Sequence, residues 1–182
     1  MEFYLKYDGP LKSNADAKNK HRIREYFHPQ MKKLWDIKPL NNLKESFLTS
    51  GRELSVLKEV DGVIFAPLVS SVLKFICQLD ITILWSEEPV ALSEFGGDID
   101  NRLKTLFDAL QCPDINQIKP VKESFKDKEP FFCLLENDKL ITSVNIHTHT
   151  LLCSENKTDV SVLIHVIVKA TGLMMKTIGL SG

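Results

Sequence analysis

Two aspartates one residue apart, Asp98 and Asp100, directly follow the double glycine Gly96-Gly97, and Asn101, Lys104 and Asp108 come close behind. At about 100° per residue a helix puts Asp100, Asn101, Lys104 and Asp108 on one face. Leu103, Leu106, Phe107 and Leu110 then form a separate apolar stripe. Two carboxylates so spaced can face a single hard cation. Mg²⁺ takes oxygen ligands, commonly one or two carboxylates with water and a substrate phosphate. An ammonium one turn along can stabilise charge that builds on phosphate oxygens. The same residues also have a purely structural reading. Either aspartate can cap a helix whose first turn favours acids, and Asp100 with Lys104 is an ordinary i,i+4 pair. Pattern alone leaves both readings open.

A basic window lies upstream. Lys18, Lys20, Arg22, Arg24, Lys32, Lys33 and Lys38 put seven cations between positions 18 and 38, opposed there only by Glu25 and Asp36. Such a run is either a solvated face or a surface for a nucleic-acid backbone, where phosphate contacts dominate affinity. Beside residues suited to phosphate chemistry the second reading is the stronger, and Arg102 can serve similarly. His147 and His149 alternate on a predicted strand, near Cys153; a partly exposed strand face is the plainer reading than a metal site. His165 reads as a satisfied core histidine, and Trp35 and Trp85 as core or interface residues. No Gly-rich phosphate loop, G-x-S-x-G elbow or Cys-His pairing occurs, which argues against a P-loop ATPase, a serine hydrolase and a cysteine protease.

The elements that must position these groups follow from periodicity and turn residues. Phe3 to Tyr7, Lys74 to Trp85, Phe131 to Leu135, Leu140 to Leu152 and Asp159 to Lys169 read as strands. Lys20 to Trp35 reads as a helix broken near His28-Pro29, and Ile99 to Leu110 as a helix. Asp61-Gly62 is a turn. Cys112 to Pro130, with two prolines and many charges, reads as a long surface loop. Ser154 to Lys157 reads as a hairpin connection between the last two strands. The expectation is one α+β domain spanning residues 1–182, a mixed β-sheet flanked by helices.

Composition agrees. The 182 residues are 43% hydrophobic and 26% charged, a globular balance that excludes a disordered chain, and the net charge of −1 gives no overall sign of a nucleic-acid binder. The charged start is unlike a signal peptide, and the longest apolar run, Val63 to Leu73, falls short of the ~20 residues a membrane span needs. Cys77, Cys112, Cys133 and Cys153 have no close pair. They read as free thiols in a reducing compartment, so a cytoplasmic protein is expected.

The run Asp98-Ile99-Asp100-Asn101, then Leu103-Lys104 and Asp108-Ala109-Leu110, resembles the central D-x-D-N-x-x-K-x-x-x-D-A-L motif of the RusA-type Holliday junction resolvases. More diffuse likeness extends to the opening strand, to Gly9-Pro10 and to Ser13-Asn14. The resemblance implies a homodimeric, Mg²⁺-dependent endonuclease (Mn²⁺ as a substitute) that cuts branched DNA in recombination and repair. It implies Asp98, Asp100 and a later acid as metal ligands, Lys104 as a catalytic cation, and Asn101 and Asp108 as groups that orient them. For the later acid, Asn137-Asp138-Lys139-Leu140-Ile141 fits the family's D-D-x-x-I pattern with Asn137 in place of the first acid, and points to Asp138. Asp114 is the rival. The Asn137 departure and the net charge of −1 suggest one alternative, a structured-nucleic-acid-binding protein that cuts weakly or not at all; the same departure and the long Gln111 to Glu136 spacing suggest another substrate, as in a defence or mobile-element nuclease.

Overall fold

The computed structural model describes residues 1–86, 99–152 and 159–172. Its centre is the strand β4, Phe75–Trp85, whose residues alternate strictly between buried and half-buried. Phe75, Cys77, Leu79, Ile81, Ile83 and Trp85 face the core. The flanking strands are β7 (Asp159–Ala170), antiparallel to β4, and β6 (Ile141–Thr150), parallel to it. β1 (Glu2–Pro10) pairs antiparallel with β7, so the sheet order is β1-β7-β4-β6. The last two strands therefore do not form the expected hairpin: β4 lies between them, and the residues read as their connection fall outside the described ones. Turn composition signals that a chain reverses, but not which strand it reverses against.

A second, three-stranded sheet has the order β2-β3-β5. β2 (Lys58–Val60) meets β3 (Val63–Val69) through Asp61-Gly62, both at positive φ, a two-residue hairpin turn of the kind D-G favours. β3 runs parallel to the fully buried β5 (Phe131–Leu135). Among the described residues, two mixed sheets with four α-helices make an α+β fold, as expected from the sequence.

The helix α1, Ala17–Asp36, is capped by Asp16, whose side chain accepts from the Asn19 amide at 2.8 Å. Ile23, Phe27, Met31 and Trp35 recur every fourth residue and are buried. That row carries the helix through Pro29, which stays on the exposed side, so the expected break is absent. A short helix α2 (Lys44–Phe47) seats the fully buried Phe47 edge-on to Trp35.

The helix α3, Ile99–Leu110, has the bounds its periodicity predicts. Residues 112–130 depart from expectation. They form the short helix α4 (Ile115–Ile118), then a 3₁₀ stretch over Lys119–Phe125. Ile118 and Phe125 pack with Val63, Phe65, Phe131, Cys112 and Cys133 into a small second core. Three apolar anchors scattered among charges show no period, which is why the segment reads as a loop. Among the described residues no helix is long and apolar enough to cross a membrane.

A candidate site along one helix face

Leu103, Leu106, Ala109 and Leu110 bury one side of α3, and the buried Thr105 accepts at Oγ1 from the Ala15 amide at 3.2 Å. That bond places the start of α1 against the middle of α3. The other side of α3 meets solvent: Asp100 and Lys104 are exposed, Asn101 and Asp108 half-buried. The side chains of Asp100, Asn101 and Lys104 have no hydrogen bond or ion pair to any described residue, so the carboxylate and the ammonium are free for a ligand. Asp98 lies outside the described residues.

Asp108 is fully engaged. Its Oδ2 lies 2.7 Å from Lys20 Nζ, and its Oδ1 accepts from Gln111 Nε2 at 3.1 Å. Gln111 in turn accepts at Oε1 from the Asp138 amide at 3.0 Å. One polar chain thus joins α1, the end of α3 and the turn before β6. Gln111 was not singled out in the sequence; its only signal is its place three residues after Asp108.

The same chain fixes where Asp138 stands. Asp138 heads the 3₁₀ turn that leads into Ile141, and Ile141 pairs with Cys77 near the start of β4. Asp100 belongs to the other end, where Arg102 covers the Trp85 ring at the finish of β4, 5.0 Å from its centroid. At about 1.5 Å rise per residue, the axis from Asp100 to Leu110 alone is about 15 Å. Asp138 is exposed, and its amide is held at the Gln111 end of α3, the end away from Asp100. Its rival, Asp114, caps α4, accepting from the Asn116 and Gln117 amides at 2.8 and 3.0 Å.

The basic window divides in two. Lys18, Arg22, Lys32, Lys33 and Lys38 are exposed, and the helical members project from the side of α1 opposite its buried row. Lys20 is committed to Asp108. Arg24 is not a surface cation: it is 1% exposed and donates through Nη2 to the Asp108 carbonyl at 2.6 Å and to Gln117 Oε1. Burial draws its pKa down to about 10, so it stays charged at neutral pH as an internal brace. Nothing in composition separates it from Arg22; only the helical phase of Ile23 and Phe27 does. Arg102 is half-buried, donating to the Leu11 carbonyl at 3.1 Å and stacking on Trp85.

Other expectations resolve locally. Trp35 and Trp85 are core residues. Cys77, Cys112 and Cys133 are free and buried, while Cys153 lies outside the described residues. His147 and His149 are on the exposed strand β6, with His147 3.5 Å from Asp80. His165 is not a core histidine: it sits on the outer sheet face, stacked on Tyr4 and 3.3 Å from Glu2. Among the described residues no group of three His, Cys, Asp or Glu side chains is placed to hold a metal ion. The oxygen donor at Asp100 has the hard character Mg²⁺ requires, and one or two carboxylates with water and phosphate suffice for that ion. The D-x-D pair therefore fits the cation in donor chemistry, and its first member, Asp98, lies outside the described residues. No protein-family model matches the chain, and no curated protein matches it.

Proposed function

We propose that this chain is a Mg²⁺-dependent endonuclease acting on branched DNA in the cytoplasm, resembling the RusA-type resolvases and working as a homodimer. The observation that carries the reading is the free, solvent-facing pair Asp100 and Lys104 one turn apart on α3. Asp98 and Asp100 would hold the metal. When bound, the ion supplies Lewis-acid polarisation of a phosphate and a more acidic water. Lys104 stabilises charge on the phosphate oxygens. Asp108, clamped by Lys20 and Gln111, fixes α3 against α1 and thereby sets the direction of the Asp100–Lys104 face. Lys18, Arg22, Lys32 and Lys33 contact backbone phosphates, which confers affinity without sequence preference.

The test is cleavage of a labelled four-way junction and of a linear duplex in Mg²⁺ and in Mn²⁺. Paired junction nicks are expected, abolished in Asp100→Asn and lowered about 100-fold in Lys104→Ala. Asp138→Asn should cut within a few-fold of wild type, because Asp138 lies far from Asp100. Loss of cleavage in that variant would reinstate Asp138 as a ligand. A second reading rests on the sequence: Asn137 stands where the motif has an acid, and the net charge is −1. A binding protein that cuts weakly or not at all would retain junction binding with no nicks in either metal.

A further inference from the structure

A cavity of about 550 Å³ opens between the start of α1 and the 3₁₀ stretch over Lys119–Phe125. Lys18, Lys119 and Lys122 line it, together with His21 and Ser124. Its charge is one-sided. The carboxylate in the wall, Glu123, is turned to Lys126, which lies outside the lining. Lys122 shares its charge with Asp61 at 3.1 Å; Lys18 and Lys119 make no ion pair among the described residues, and the nearby Asp16 acts on Lys18 only through its charge. The neutral groups of the wall are engaged within the fold: Ser124 Oγ donates to the Val121 carbonyl, and His21, 3% exposed, has its Nε2 2.6 Å from that Oγ. Burial depresses the His21 pKa to about 4, so the ring is neutral and adds no charge.

We propose that this cavity is a phosphate-binding pocket. Three lysine ammonium groups around one cavity suit an oxyanion bearing one or two charges. The phosphate comes from a nucleic-acid backbone or from a small phosphorylated molecule. The nucleic-acid version rests on the endonuclease reading above; the phosphate chemistry does not. Lys20, two residues after Lys18, points to the other side of α1, where it holds Asp108, so the pocket opens on a different side of α1 from the one that meets α3. Lys119 and Lys122 lie far from the basic window in sequence, and the folding of residues 112–130 against α1 brings them to it.

The experiment titrates the full chain with inorganic phosphate, with adenosine monophosphate and with a labelled four-way junction in the absence of divalent metal. Lys18→Ala/Lys119→Ala is compared with Lys74→Gln/Lys169→Gln, which removes equal charge from two exposed lysines outside the cavity and the basic window. The pocket pair should weaken phosphate or nucleotide binding about tenfold, or lower the salt slope of junction binding by about two, the effect of two lost phosphate contacts. The Lys74/Lys169 pair should leave inorganic phosphate binding in place. Binding of the nucleotide without the junction identifies a small phosphorylated ligand, and binding of the junction alone identifies a strand. The proposal is overturned if wild type binds none of the three. It is equally overturned if the pocket pair changes nothing, or if both pairs weaken inorganic phosphate equally. A chain that cuts no DNA yet loses phosphate binding in the pocket pair leaves this inference standing while the endonuclease reading falls.

Discussion

His21 shows how one side chain ties local chemistry to stability. It is packed against the Phe125 and Phe131 rings, and desolvation holds its pKa down at about 4, with Glu25 opposing the drop and Arg24 and Lys128 adding to it. In the unfolded chain the imidazole titrates near its ordinary value of 6.5. Between these values the unfolded state binds a proton that the folded state refuses, so stability falls as the pH drops from 6.5 towards 4 and is unaffected by this group above 6.5. His28, also lowered by burial, acts in the same direction. Urea midpoints measured from pH 7 to pH 4 should decline, and His21→Gln should decline less steeply. Equal slopes would remove His21 from the account. Arg24 teaches the complementary lesson: a cation that composition assigns to a DNA surface is withdrawn into the interior by the phase of its helix.

At the scale of elements, helices and strands with a clear period had legible bounds, as α3 and β4 show. Residues 112–130 did not, because Ile118 and Phe125 fix the segment by contact with residues distant in sequence. Phe125 is 1% exposed and lies edge-on to both Phe65 and Phe131. Phe125→Ala should cost about 3–5 kcal/mol in urea unfolding. Hydrogen exchange should then rise over residues 112–130 before it rises in β4. An undiminished midpoint would mean the segment is indeed the surface loop that its charge suggests. Because Lys119 and Lys122 ride on this segment, the same change should loosen the cavity they line.

For the whole molecule, β6, an edge strand of the larger sheet among the described residues, is the feature to test. β6 is exposed along nearly its whole length, with Val144 and Ile146 more than a third exposed. Its sequence, ITSVNIHTHT, has no lysine, glutamate or proline, the residues that ordinarily blunt an edge strand. Its one irregularity falls at the first residues, opposite Cys77 and Gln78. If the proposed homodimer forms across this edge, wild type should sediment as a dimer at micromolar concentration and Ile146→Lys as a monomer. A monomeric wild type removes the homodimer from the reading, together with the paired nicks it would explain.

Sequence by itself determined the α+β class, the two-residue D-G turn, the span of α3, and the grouping of Asp100, Lys104 and Asp108 on one helix face. Each follows from local periodicity or turn chemistry, which a single stretch of chain carries in full. Only the tertiary structure decided that β4 separates β6 from β7. It alone showed that Arg24 is a buried brace and that Asp138 belongs to the opposite end of α3 from Asp100. The grouping of Lys119 with Lys18 was decided in the same way. These depend on which surfaces meet once apolar faces are buried, and helical phase and strand order are settled by contacts far apart along the chain.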